Sequence, residues 1–213
     1  LAIHPKLIVV TLLGFSSGLP RLLVASTLIA MLTDRGVDTA TLGLFANVIM
    51  PYSFHWAWAP LMDHLRIPVL TAKLGRRVGW ILVAQIMVMA ALFWMGIRIE
   101  AASPLEIAII ATFIAFFSAS QDIVIDAYRT EYLDPELYGK GAASGVFGYR
   151  VGMLVAGAGA LAMADIVHWG VVYFVMGALM LVGMITVLIA GEPKNVPERI
   201  EAHSPGEWFK EAV

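Results

Sequence analysis

The sequence predicts an all-α integral membrane protein, a bundle of six transmembrane helices. Three observations carry that prediction. Of the 213 residues, 60% are hydrophobic and only 14% charged. The mean hydropathy is +0.81. Uncharged runs long enough to cross a bilayer recur along the chain, since roughly 20 apolar residues at 1.5 Å rise cover a hydrocarbon core of roughly 30 Å. A soluble domain carries about a quarter of its residues as charges.

The first predicted span, about 6–33, is too long for the apolar region of a signal peptide and is interrupted by Gly14, Gly18, Pro20 and Arg21, so it reads as a retained helix. Pro20 removes the donor for the Ser16 carbonyl, and Pro51 in the second span (about 41–62) does the same for Asn47. Both helices are expected to bend near their middles. The third span (76–98) contains VGWILVAQIMVMAALFWMGI and the sixth (168–190) VVYFVMGALMLVGMITVLIA, both free of charge. The fourth (104–131) holds two acids, and the fifth (141–164) carries Gly141, Gly145, Gly148 and Gly152 at a spacing that permits close helix approach.

After Gly191 the chain turns to EPKNVPERIEAHSPGEWFKEAV, with three prolines and alternating charges. Residues 191–213 read as a cytoplasmic linker toward a further bundle, with a short amphipathic piece around Trp208 and Phe209; residues 1–190 are expected to be half of a longer machine. Basic residues set the orientation. With the N-terminus in the cytoplasm, Lys6, Arg66, Lys73, Arg76, Arg77, Arg129, Lys140, Lys194, Arg199 and Lys210 fall on the inner side, and only Arg35 and Arg98 outside. Both ends of the segment are then cytoplasmic.

Several function classes drop out. Without cysteine there are no disulfides, thiol nucleophiles or cysteine zinc sites. No phosphate-cradling glycine loop, paired histidines at metal spacing or basic aromatic surface occurs, so the expectation is no enzyme, no metal, no organic cofactor and no nucleic acid. His55, the lone histidine within a span, reads as a packing residue.

What remains is a set of charges at membrane depth. Asp122 and Asp126 are four apart on one helical face, and Ser118 and Arg129 extend the stripe. Counting 1.5 Å per residue from the inner loops puts Asp122 about 18 Å deep, Arg150 about 15 Å and Arg21 roughly 22 Å. An aspartate between two arginines at one level makes each tolerable, either as a fixed Asp122–Arg150 pair or as the lining of a water-filled cavity where the acid exchanges a proton and the arginines meet an anion. Gln121 belongs to the same candidate set. Six helices, a midplane polar site and a long cytoplasmic linker together imply the major facilitator architecture, with three-plus-three inverted repeats in each half.

The segment PLMDHLRIPVLTAKLGRR (60–77) resembles the major facilitator signature in which an aspartate is followed by a glycine and paired basic residues, with extra residues between Asp63 and Gly75. That resemblance implies a cytoplasmic latch made of Asp63, Arg76 and Arg77, with Asp126 as its fourth-helix acid. GFSSGLP (14–20), WAPLMD (58–63), GRRVGW (75–80), SASQDIVIDAYRT (118–130) and GYRVGMLVAG (148–157) are together similar to the AmpG family of muropeptide permeases. Membership would imply a bacterial inner-membrane importer of GlcNAc–anhydro-MurNAc peptides, coupled to protons and partnered by membrane lipid and a second six-helix half. Tyr52, Trp56 and Tyr149 would offer surfaces to sugar rings, and Arg21 and Arg150 cations to peptide carboxylates. Two alternatives stay open: a carrier of another anionic metabolite, such as acetyl-CoA or a folate-type solute, and a non-transporting scaffold or sensor.

Overall fold

The computed structural model describes residues 4–65, 67 and 70–193. The linker sequence beyond 193, with the expected amphipathic piece at Trp208 and Phe209, lies outside the described residues, as does Arg66. Five helical stretches are long and apolar enough to cross a membrane: Pro5–Asp34, Arg76–Arg98, Pro104–Tyr132, Pro135–Ala164 and Trp169–Ala190. Residues such as Ile97, Phe113, Leu154 and Ile189 stand exposed on their outer faces, the surface a hydrocarbon solvent accepts.

The first stretch is two helices, α1 (Pro5–Leu23) and α2 (Ser26–Asp34). The break at Val24 and Ala25 comes one turn after Pro20, not at it. Carbonyl groups near such a break need donors in an apolar medium. The buried Tyr173 hydroxyl donates to the Leu23 carbonyl at 3.0 Å, and the Thr27 hydroxyl to the Ala156 carbonyl at 2.8 Å.

The second expected span is not one helix. It runs as α3 (Thr39–Leu44), a 3-10 turn at Phe45–Ile49, α4 (Met50–Phe54), a second 3-10 turn at His55–Ala57 and α5 (Ala59–His64). Pro51 and Pro60 each open a new piece, because a prolyl nitrogen is harmless in a helix's first turn and disruptive inside it. The Trp58 indole N–H donates to the Ser120 hydroxyl at 3.1 Å, and its ring lies 4.9 Å from that of Phe116, which fastens the broken segment to its neighbour.

After α6 (Leu70–Leu74) come the two long helices α7 (Arg76–Arg98) and α8 (Pro104–Tyr132), the latter started by Ser103 as cap and Pro104. Next are α9 (Tyr138–Leu154), a π turn at Val155–Gly159, and α10 (Ala160–Ala164). The last pair, α11 (Trp169–Leu179) and α12 (Leu181–Ala190), meet at Met180.

The α1–α9 contact is backbone against backbone. A β-carbon on Gly18 would fall 2.8 Å from the Tyr149 carbonyl carbon, and one on Gly148 2.8 Å from that of Thr11. The glycine stripe is therefore a packing surface. The core divides in two: one cluster, which includes Leu19, Leu28, Leu92 and Ile110, fills the end carrying Asp34 and Glu100, and another, with Leu13, Ile81, Val124 and Val187, fills the end carrying Lys6 and Arg77. We call these the acidic and the basic end.

Candidate functional site

Helices α1, α8 and α9 enclose a cavity of about 340 Å³, lined among others by Ser17, Asp122, Asp126, Arg129 and Tyr149. The four-residue spacing on α8 thus does place both aspartates on one face with Arg129. The Asp122 carboxylate accepts a hydrogen bond from the Ser17 hydroxyl. Its charged neighbours are Asp126 and Arg21, and the phenols of Tyr52 and Tyr149 feel its field in turn. The Arg21 guanidinium sits 4.8 Å from the centre of the Tyr52 ring, a cation–π arrangement. Asp126 pairs with Arg129 on its own helix at 3.1 Å.

Two expectations about this site need correction. Asp122 and Arg150 do not pair: Arg150 is exposed, and the hydroxyl on the carboxylate is that of Ser17. Depth counting fixed the level of Arg150 but not its direction. At about 100° per residue, the stripe Gly145, Gly148 and Gly152 turned onto α1 leaves Arg150 on roughly the opposite side of α9, while Tyr149 stays within about a quarter turn. Trp56 is also elsewhere. It stands 67% exposed on the His55–Ala57 turn and does not line the cavity. Gln121 is wholly buried and faces the bundle interior.

The basic end holds a second constellation. Arg77, expected to meet Asp126, is instead taken by Glu131 in the last turn of α8. Its Nη2 lies 2.6 Å from one carboxylate oxygen, and its Nε donates to both at 3.1 and 3.0 Å. The two side chains are only 3% and 12% exposed. Asp126 is displaced from this role because it stands more than a turn nearer the cavity. Arg76 opens α7 beside it, and Asp63 lies in the last turn of α5.

Sequence reasoning missed Glu131, Ser17 and Glu192. The chain leaves α12 through Gly191 at φ +72°, a conformation that favours glycine, and turns Glu192 back onto the start of α7. There its carboxylate accepts from the N–H groups of Arg77 and Val78, both at 2.9 Å, using one oxygen for each. An anion at a helix N-terminus satisfies orphan donors and complements the helix dipole. The Tyr128 hydroxyl donates to the Gly191 carbonyl at 2.8 Å. An acid directly after a helix-ending glycine was the available hint, but its target is visible only in three dimensions. Replacing Glu192 with Ala is expected to cost about 1 kcal/mol through the lost cap, read as a lowered thermal midpoint.

At the same end Lys6 donates to Asp134 at 2.9 Å, and the ammonium holds that carboxyl below the usual carboxylate range. The tie between the start of α1 and the α8–α9 turn is therefore fully present above the ordinary carboxylate pKa and is lost as pH falls through the lowered value of Asp134.

Two carboxylates, a guanidinium and a phenol around one cavity, in a bundle with an apolar outer surface, define a multi-pass membrane protein with a polar interior site. Such a site can accept the hydroxyls and pair with the anionic groups of a polar solute. Residues 8–210 match the Major Facilitator Superfamily, and the chain belongs to that family. It is 43% identical over 202 residues to the anhydromuropeptide permease of Escherichia coli (strain K12), a match that covers 93% of this chain and 40% of that protein. Putative transporter AmpG 3 of Rickettsia prowazekii is 37% identical over 91% of this chain and 46% of its own length. Putative transporter AmpG 4 of Rickettsia conorii is 31% identical over 98% and 50%. These relatives are named as a permease and transporters, not as enzymes. The chain spans half or less of the length of each of them.

Proposed function

We propose that this chain is one six-helix half of a proton-coupled importer of GlcNAc–anhydro-MurNAc peptides in the bacterial inner membrane. The basic end and both ends of the segment face the cytoplasm, and a second six-helix half completes the solute site. The observation that carries this reading is the 43% identity to an anhydromuropeptide permease along 93% of the chain. The chemistry of the cavity supports it: a muropeptide presents sugar faces and peptide carboxylates, and Tyr52, Tyr149 and Arg21 offer rings and a cation around Asp122.

In this mechanism Asp122 is the proton-responsive acid. Protonation removes its attraction for Arg21, and the guanidinium is then released toward an anionic group of the solute. Arg150, on the exposed side of α9, meets solute or the second half rather than Asp122; Trp56 has the same exposed position on its own segment, and Gln121 supports Asp122 from behind. Asp63, Arg76, Arg77 and Glu131 form the latch that holds the inward-closed arrangement, with Asp126 left to the cavity.

The test is uptake of labelled anhydro-muropeptide into membrane vesicles carrying the full-length protein, with and without an imposed proton gradient. Gradient-driven uptake is expected in the parent, and Asp122→Asn is expected to reduce it to the level of vesicles lacking the protein. Uptake that is unchanged in Asp122→Asn would remove the proton role from this residue. Uptake of acetyl-CoA or a folate, with none of muropeptide, would overturn the substrate.

A further inference from the structure

A layer of polar residues lies in the bundle interior, and only Gln121 among them enters the carrier mechanism above. Ser16, Gln85, Ser118 and Gln121 each have 0% exposure. They lie where the two apolar clusters stop. On α1, Ser16 falls between Leu13 of one cluster and Leu19 of the other; on α7, Gln85 falls between Leu82 and Val88. On α8, Ser118 and Gln121 fall between Ala115 and Val124, and on the last span Gly183 falls between Met180 and Met184. Four helices thus contribute one level.

Gly183 lets the Gln85 amide nitrogen and the Ser16 hydroxyl come together against the last span, because a β-carbon on it would overlap both. The Ser16 hydroxyl donates to the Leu12 carbonyl at 3.4 Å. Among the described residues, both amide atoms of Gln85, both of Gln121, the Ser118 hydroxyl and the Tyr52 hydroxyl next to it are buried without a well-formed hydrogen bond in the protein. Buried carboxamides are strongly disfavoured in that condition, so a partner of matching chemistry belongs in the layer.

The donor set says which partner. Two carboxamides present N–H donors beside carbonyl acceptors, the serines add hydroxyls, and the layer carries no formal charge. A cation would meet the N–H groups and an anion the carbonyl oxygens. A molecule that both donates and accepts satisfies all of them. We propose that Ser16, Gln85, Ser118 and Gln121 form an internal water site at mid-depth of the bundle. It adjoins the charged site without lining the open cavity: Ser17 and Asp122, the chain neighbours of Ser16 and Gln121, line that cavity, while these two are buried and Ser118 meets Tyr52. The site concerns water within one bundle, so it stands whatever solute the carrier takes. Its consequence is that the α8 turn bearing Asp122 has water on both sides.

Pulsed radiolysis, which makes hydroxyl radicals from water in place and oxidises the side chains next to it, tests this in the full-length protein. Met180 and Met176 supply a matched pair. They lie about a turn apart on the face of the last span that carries Gly183, with 0% and 1% exposure, and Met180 is the one adjoining the layer. The expected result is oxidation of Met180 several-fold faster than of Met176, with the excess lost when Gln85→Leu and Gln121→Leu are combined. Equal rates in the parent protein overturn the proposal. An excess that survives loss of both amides overturns it too, because the water is then not held by them. If the double variant does not accumulate, Gln85→Leu alone is read in the same way, and the parent's Met180 to Met176 ratio stands as a test without any variant.

Discussion

Replacing Glu131 with Ala is expected to destabilise the bundle by about 3–5 kcal/mol, the usual cost of removing one member of a buried ion pair. Arg77 is 2% exposed, and Glu131 supplies the bidentate contact that offsets the desolvation of its guanidinium. The readout is thermal unfolding of the full-length protein in detergent, and a shift no larger than that of a surface substitution would show that Arg77 does not depend on Glu131. A second arm separates stability from latching. The double replacement Arg77→Leu with Glu131→Leu is expected to recover most of the lost stability, because an apolar pair of similar volume tolerates burial. Transport is expected to remain impaired in that variant, since the latch is gone while the fold persists. Recovery of transport together with stability would reduce the pair to a packing element.

The other large effect is expected at Gly18. Alanine there would drive a β-carbon into the Tyr149 carbonyl, and since the obstacle is backbone, the α1–α9 interface has to open. A loss of at least about 2 kcal/mol is expected, in the range of overpacked cores. Because Tyr149 is displaced with it, the wall of the Asp122 cavity moves as well, and uptake should fall along with the melting temperature. Gly139 supplies the control on the same partner helix. No atom lies within 4 Å of its absent β-carbon, and alanine is expected to be neutral or to stabilise by up to about 1 kcal/mol. Equal effects at the two glycines would mean that helix propensity, not close approach, governs this interface.

The membrane class could be read from the sequence because it follows from local quantities, run length and charge density. The α8 stripe was readable for a similar reason: Asp122, Asp126 and Arg129 lie on one helix, so spacing alone gives their shared face. Partners across helices were not readable from depth. Arg150 and Tyr149 are adjacent at one level, and only the azimuth of α9 decides between them. The glycine stripe held that information, since a face of bare backbone has to be the one in contact. Proline positions located the breaks less well. Pro51 and Pro60 mark the starts of pieces, whereas Pro20 is followed by a full turn before the chain breaks at Val24 and Ala25. Glu192 offered only its place after a helix-ending glycine, because its partners are amides more than a hundred residues earlier.

That return contact at Glu192 also bears on how load passes through the molecule. Gly191 and Glu192 are fastened at two points, the Tyr128 hydroxyl on α8 and the first amides of α7. Tension applied to the chain downstream of residue 193 therefore does not spend itself in a free swivel at the end of α12. It arrives at the turn before α7 and at the C-terminal third of α8, the helix that bears Asp122. The exit of the chain is a lever arm with its fulcrum on the Glu192 and Gly191 contacts, and a displacement there is geared to α8 and so to the charged cavity that it lines.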